Sequence, residues 1–408
     1  MKSNYKPIGD YIQRVEHRNR DLKVTRLLGL SMTKEFRETT SNIVGTDMSV
    51  YRVMSKYQFA CDFMSPIRVN KLPVVLKLDD EPNLVSPAYP VFEIIDRNNL
   101  YPEYLMMWFR RSEFDRYATF KCDAAIRGGY EWNELCETLI PIPSITKQKE
   151  IVKEYNVIQN RITLNQQLIQ KLEETAQAIY KQWFVDFEFP DENGKPYKSN
   201  GGEMVFNQEL EREIPKGWES VNLSSMVNIK DGTHDSPNPI EIGFQLVTST
   251  HLNLYDISLK ETYNISEADY IQTNKRSKVE KCDILFSMIG TVGLVNYVLY
   301  DQINFAIKNV GLFKTSEKKE IAEYILFYLK SDYIKSYLVS NPNGSTQNYV
   351  TLSFLREMPI ILPLEETLNK FKKTSKKIIE TTHLTVKENN LLEEMKNLLL
   401  SKLATIEN

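Results

Sequence analysis

Few residues in this chain have the spacing that bond-making chemistry needs. Its histidines, His17, His234, His251 and His383, stand in no H-E-x-x-H or other ligand-spaced pattern, so a metal centre has no scaffold. Thr233-His234-Asp235-Ser236 holds the residue types of a hydrolytic triad. Four consecutive residues cannot adopt triad geometry, and the run reads as a polar loop. No G-x-x-x-x-G-K-[ST] loop occurs, and Gly290-Thr291-Val292-Gly293 is too short for a dinucleotide or phosphate fingerprint. A turn between strands is its plainer meaning. The Asn- or Asp-Pro-Pro-aromatic loop of an adenine methyltransferase is missing. Pro190-Asp191 lacks the acidic-x-Lys of a nuclease motif, which leaves it as a helix stop.

What remains is binding chemistry. Arg110, Arg111, Arg116, Lys121 and Arg127 interleave with Trp108, Phe114, Phe120, Tyr130 and Trp132. Arg and Lys neutralise phosphates and bond guanine edges. Glu113, Asp115, Asp123 and Glu131 share the segment, so a solvated amphipathic helix also accounts for it.

The elements that would position these groups are set by one long stretch. From Lys147 to Phe187, apolar residues recur in alternating steps of four and three: Ile151, Tyr155, Ile158, Ile162, then Ile169, Leu172, Ala176, Ile179 and Trp183, with Asn165 in the seam. This heptad pattern predicts a helix with one narrow seam for a partner helix. Without Gly or Pro it extends about 60 Å at ~1.5 Å per residue, too long to stand alone.

The partner is expected in the same chain. Leu172-Glu173-Glu174 recurs as Leu392-Glu393-Glu394, an offset of 220 positions. At that offset Pro143 falls on Pro363, Ile151 on Phe371, Glu103-Tyr104-Leu105-Met106 on Glu323-Tyr324-Ile325-Leu326, Arg110 on Lys330 and Tyr117 on Tyr337. The chain therefore reads as a duplication of a globular domain followed by a long helix. The second seam (Phe371, Ser375, Ile378, Thr382, Thr385, Asn389, Leu392, Lys396, Leu399, Leu403) is more polar. Antiparallel pairing about the midpoints would bring Asn165 to Asn389, where an amide hydrogen bond could set the register; two asparagines on a wet edge would look the same.

Four segments follow: a first α/β domain over 1–144, a long helix over 145–190, a connector and second α/β domain over 191–364, and a second long helix over 365–408. Strands are expected at Val50–Met54, Pro73–Leu78, Tyr89–Ile95, Asp283–Met288 and Leu294–Leu299, and helices from Pro102 to about Phe120 and Glu320 to about Leu338. Ser144 or Thr146 can cap the first long helix. Composition is that of an ordinary soluble protein, without an apolar run long enough for a membrane span or a leader. Cys61, Cys122, Cys136 and Cys282 form no C-x-x-C pair, which points to free thiols and a cytoplasmic location. A net charge of −3 is unlike that of a stand-alone nucleic-acid binder. If the chain binds DNA, its basic groups must be segregated or a partner must supply positive field.

At this level the chain resembles the specificity (S) subunits of type I restriction-modification systems. The strongest stretch is Asn165–Pro190, where Ala176-Gln177-Ala178-Ile179-Tyr180-Lys181-Gln182-Trp183-Phe184-Val185-Asp186-Phe187 is similar to the family's central conserved region. Asp231-Gly232-Thr233-His234, Gly290-Thr291-Val292-Gly293, Ile307-Lys308-Asn309-Val310-Gly311 and Gly344-Ser345-Thr346-Gln347 resemble one type of target recognition domain. Gly45-Thr46-Asp47, Val85-Ser86-Pro87-Ala88-Tyr89 and Pro102-Glu103-Tyr104-Leu105 resemble another. The polar C-terminal seam departs from the pattern.

The resemblance implies two α/β (α+β) target recognition domains separated by two long antiparallel coiled-coil helices with pseudo-twofold symmetry. It also implies a non-catalytic subunit that reads a bipartite, asymmetric site in double-stranded DNA. Two adenine-N6 DNA methyltransferase (M) subunits would dock on the helices, with restriction/translocase (R) subunits in the full complex. No cofactor is expected on this chain; S-adenosylmethionine, ATP and Mg belong on the partners. DNA contacts are expected from Lys34, Ser86, Tyr89, Lys121 and Arg127 in the first domain. In the second they are expected from Lys230, Thr233, His234, Thr248, Thr291, Lys308, Ser345, Thr346 and Gln347. Arg127 and Gln347 stand at comparable places in the two copies; Arg prefers guanine and Gln adenine, so Arg127→Ala is expected to alter the first half-site alone. Helix pairing and partner docking are expected from Ile158, Ile162, Asn165, Ile169, Leu172, Trp183, Phe184, Asn389, Leu392 and Leu399. A stand-alone DNA modification or restriction enzyme, and a coiled-coil adaptor that never touches DNA, are the competing readings.

Overall fold

The computed structural model describes residues 5–39, 45–123, 130–340 and 349–406. The chain divides into two compact units, Met1–Thr163 with Asn390–Asn408, and Leu164–Asn389. Each unit contains one α/β module and one half of each long helix.

The first unit is built on a four-stranded antiparallel sheet of β1 (Ile12–Val15), β2 (Phe59–Cys61), β3 (Val74–Leu76) and β4 (Val91–Ile94), in the order β1-β4-β2-β3. The second has β5 (Ile229–Asp231), β6 (Ile284–Ser287), β7 (Val295–Tyr297) and β8 (Val310–Phe313), in the order β5-β8-β6-β7. The strand order is the same in both copies. So is the closing sheet ahead of each long helix: Tyr5–Pro7 pairs with Leu139–Pro141, and Glu219–Asn222 with Pro359–Leu362. Within it the Tyr104 hydroxyl donates to the Pro141 carbonyl at 3.0 Å, and the Tyr324 hydroxyl to the Ile361 carbonyl at 2.5 Å. The two bonds are related by the 220-residue offset, Tyr104 to Tyr324 and Pro141 to Ile361.

The single helices expected from Pro102 and Glu320 are each two helices. Pro102–Phe109 is followed by Ser112–Asp123, and Ala322–Lys330 by Asp332–Ser340. At the second break the Ser331 hydroxyl donates to the Tyr328 carbonyl at 2.7 Å and accepts from the Ile334 N–H at 3.4 Å. The bend lets one helix bury almost all its side chains while the next returns to the surface. The expected strands are present but shorter, since the ladder ends where their flanks turn away.

The long helices span Ile145–Phe184 and Glu365–Lys402. The Ser144 carbonyl and hydroxyl accept from Gln148 and Lys147 N–H at the start of the first. Gln148 is fully buried, and its amide bonds Tyr101 N–H, the Asn99 carbonyl and the Pro143 carbonyl, so no polar atom is left dry. In each unit the helices run antiparallel. In the first, Lys396 Nζ reaches Gln159 Oε1 at 3.2 Å. In the second, the Asn165 amide donates to Asn389 Oδ1 at 2.9 Å and to Glu388 Oε2 at 3.0 Å. The polar seam has a local solution: Ser375, Thr382 and Thr385 return their hydroxyls to the carbonyls four residues earlier, at 2.8–2.9 Å.

Glu103 and Glu323, also repeat partners, each keep one buried carboxylate oxygen without a hydrogen-bond partner. Burial raises the Glu323 carboxyl above the ordinary glutamate range, against the pull of Lys372 and Lys376. A raised acid favours the folded state at low pH, and that contribution is lost as pH rises through the folded-state value. Glu323→Gln is therefore expected to be more stable than wild type at pH 7–8, by about 1 kcal/mol, and no different near pH 4. Urea midpoints at the two pH values test this.

Candidate nucleic-acid interface

In the second unit, four loops meet beyond one end of the sheets. β5 runs into Gly232, where a Cβ would stand 2.4 Å from the Ile307 carbonyl oxygen. Only glycine permits that approach. The Gly232 N–H then donates to the Val310 carbonyl at 2.9 Å, and the Thr233 N–H to the Ile307 carbonyl at 3.0 Å. Thr248 and Lys308 are register partners in the parallel pair Phe244–Thr248 and Phe305–Lys308. Asn309 turns the chain with φ of +53°, and its carbonyl accepts from buried Ser249 at 2.8 Å. Ser249 also accepts from the Met288 N–H at 3.2 Å, tying in the Gly290–Gly293 turn. In that turn the Ser287 hydroxyl donates to the Thr291 carbonyl at 2.6 Å.

The polar centre of this arrangement is Asp231, nearly buried at the end of β5. One oxygen faces Arg276 and the other lies 3.1 Å from His234 Nε2. His234 Nδ1 lies 2.8 Å from Asn309 Oδ1. The buried carboxylate thus holds two exposed groups, an imidazole and a guanidinium, at a fixed place on the surface. Lys308 bonds Ser236 beside them, and Lys230 lies half-buried on β5. Thr233, His234, Thr248, Thr291 and Lys308 are accordingly brought together in one polar network at the surface. Such a set can bond phosphate and base edges. Ser345, Thr346 and Gln347 lie outside the described residues, as does Arg127.

Ser249 and Arg276 carry no mark in the sequence, and Asp231 and Asn309 stand in the quoted motifs without being among the expected DNA contacts. Arg276 stands on the helix Glu267–Ser277, and no local pattern links it to Asp231. Asn309 carried one signal, its place between two strands where the chain must reverse.

The first unit corrects several expectations. Lys34 is buried, its ammonium 2.7 Å from Asp115 Oδ1 and bonded to the Phe109 carbonyl. Burial lowers its pKa, and it is not available to a phosphate. Arg110 donates to the Tyr155 hydroxyl at 3.0 Å, and buried Arg111 lies over Trp108. Both belong to the packing. Lys121 lies half-buried over Tyr117, while Arg116 and Phe120 are exposed. Ser86 and Tyr89 form the turn into β4, with the Tyr89 N–H donating to the Ser86 carbonyl at 3.0 Å. Burial raises the Tyr89 hydroxyl's pKa, opposed by Arg37. Arg52 braces this turn through the Pro87 carbonyl and pairs with Glu16 at 2.8 Å.

The seam residues face inward: Ile162, Asn165, Ile169, Trp183 and Phe184 are buried, and Ile158, Leu172, Asn389, Leu392 and Leu399 are half-buried. The faces of these residues that pair the helices are taken up by that packing. The exposed apolar residues are others: Val157, Leu391, Met395 and Leu398 in the first unit, Leu164, Leu168 and Leu384 in the second.

Among the described residues no group of three or more His, Cys, Asp and Glu could hold a metal, and no helix is long and apolar enough to cross a membrane. Cys61 and Cys122 are buried and Cys136 and Cys282 half-buried, with no disulfide among the described residues.

These two copies of one α/β frame, each joined to a long helix, are matched by known proteins. Residues 215–394 match the type I restriction modification DNA specificity domain. The chain is 25% identical over 318 residues to the MjaIX specificity subunit of Methanocaldococcus jannaschii, covering 76% of this chain and 70% of that one. It is 25% identical over 381 residues to the HindI specificity subunit of Haemophilus influenzae, covering 78% and 80%. The crystal structure of the type I restriction-modification S subunit from M. genitalium shares the fold, with a TM-score of 0.54, 13% identity and coverage of 99% and 96%. The chain is thus similar to type I restriction-modification specificity subunits, a non-catalytic family, and residues 215–394 carry their DNA specificity domain.

Proposed function

We propose that this chain is the DNA-reading subunit of a type I complex, each α/β unit reading one half of a bipartite, asymmetric site. The observation that carries this is the repeat itself. Sheets of one strand order support different loops: Asp231, Gly232, Thr233 and His234 with Lys308 in one copy, Ser86–Tyr89 in the other. A shared frame with unlike side chains is what two unlike half-sites require. The long helices set the spacing with pseudo-twofold symmetry. Their exposed leucines offer apolar surface to two adenine-N6 methyltransferase subunits, which bring S-adenosylmethionine and flip the target base. Restriction subunits bring ATP and Mg, and the assembly works in the cytoplasm.

Random-duplex selection with the chain and its methyltransferase is expected to return a two-part motif. Recovery of none would favour a coiled-coil adaptor, and methyl transfer by the purified chain alone would favour a stand-alone modification enzyme.

The spacer role gives a sharper test. The Asn165–Asn389 contact makes Ile162–Leu168 the counterpart of Val386–Leu392. Removing both heptads keeps the pairing and shortens the struts by about 10 Å. The gap between half-sites is then expected to shrink by about three base pairs, at ~3.4 Å each. An unchanged gap in the selected motif would refute the spacer role.

A further inference from the structure

A cleft in the second unit shares no residue with the DNA-facing loops. Tyr180 and Phe184 at the end of the first long helix, the strand Pro359–Leu362 and the hairpin Met204–Asn207/Arg212–Pro215 enclose about 490 Å³ with the helices of 322–340. Tyr328 and Ile360 form part of an apolar floor. This volume suits a ligand of a few side chains. Arg212 is the one cation on its described walls. Its guanidinium lies 4.9 Å over the Phe187 ring, and among the described residues it has no carboxylate within ion-pair distance. Its charge opposes the rise that burial imposes on the Tyr180 and Tyr333 hydroxyls.

The first copy shows the same corner complete. At the repeat offset, Trp108 stands for Tyr328, Arg111 for Ser331 and Glu113 for Tyr333. There Arg111 is buried, 4.2 Å over the Trp108 ring and 3.6 Å from Glu113. In the second copy the arginine position is Ser331, and the guanidinium on the cleft wall comes from the hairpin, stacked over Phe187 rather than Tyr328. The carboxylate has no successor, because its position is the half-exposed Tyr333. Arg212 thus lacks the ion pair that Arg111 makes with Glu113.

We infer that this cleft binds a peptide segment of a protein partner through a single carboxylate side chain set on Arg212, with a neighbouring apolar side chain lodged among Tyr180, Phe184 and Tyr328. Exposed Glu209 and Glu357 also line the cleft and disfavour a second negative charge, so the ligand carries a lone acid rather than an acidic run. The inference goes beyond the DNA reading and stands or falls without it.

The full-length chain can be titrated with acetyl-Leu-Glu-Phe-amide and with its Gln counterpart. Calorimetry would be run alongside the fluorescence of Trp218, whose ring lies 5.9 Å from Phe184. The Glu peptide is expected to saturate the signal and bind at least ~10-fold more tightly than the Gln peptide, as for a charge-assisted contact. Arg212→Gln is expected to abolish that preference, and Arg212→Lys to retain part of it. Absence of saturable binding, equal affinity of the two peptides in wild type, or a preference that survives Arg212→Gln would each overturn the inference. A third peptide, acetyl-Leu-Gln-Phe with a free carboxylate, separates the sources. Tighter binding than the Glu amide would overturn the side-chain assignment in favour of a chain terminus.

Discussion

Replacing Phe371 with alanine is expected to lower the unfolding free energy by about 4 kcal/mol, within the range for buried Phe→Ala. Phe371 is fully buried on the second long helix. Its ring centroid lies 4.9 Å from Phe184, 5.7 Å from Trp183, 6.4 Å from Tyr180 and 6.0 Å from Phe327. Deletion leaves a cavity bounded by four rigid rings that cannot collapse into it, and removes aromatic pairs worth ~0.5–1.5 kcal/mol each. The ring joins the end of one long helix to the start of the other, so the loss should appear as a lower urea midpoint with weakened near-ultraviolet dichroism. A change under about 1 kcal/mol would mean that this cluster does not hold the helices of the second unit together. Ile151, its repeat partner in the first unit, is smaller, and Ile151→Ala should cost less.

Asp231→Ala is expected to erase recognition of the second half-site while leaving the fold nearly intact. Both groups held by this carboxylate are exposed, with side-chain exposures of 57% for Arg276 and 66% for His234. Once released they are solvated, so no buried orphan charge results. What is lost is their placement. Base pairs read wrongly cost ~1–3 kcal/mol each, so loss of ordered contact to one or two of them corresponds to about a 100-fold fall in specific over non-specific affinity. Random-duplex selection would show the second half of the motif blurred and the first half unchanged. A motif with both halves intact would remove Asp231 from the reading machinery, and a collapsed urea midpoint would make its role structural.

Much of the architecture was legible because it is written in local periodicity. Heptad steps require neither distant partners nor burial to be seen, and the constant offset of 220 makes the second copy visible through the first. The Asn165 amide and Asn389 meet at 2.9 Å because antiparallel helices paired about their midpoints leave those residues opposite one another. Side-chain availability was not legible in the same way. Lys34, Arg110 and Arg111 have the composition of a phosphate-binding patch, but they face Asp115, Tyr155 and Trp108. Whether a cation is a surface charge or a packing element depends on what folds over it.

The order of residues by itself determined the twofold repeat, the two long helices and the likeness to specificity subunits, since each is a property of spacing along one dimension. Tertiary structure alone decided which loops meet. Asp231 and Arg276 stand 45 positions apart with nothing in either neighbourhood to predict the pair. They meet because β5 ends where Gly232 lets its backbone press against the strand Phe305–Lys308. That contact is set by packing between elements, and packing is a property of the folded chain rather than of any window of it.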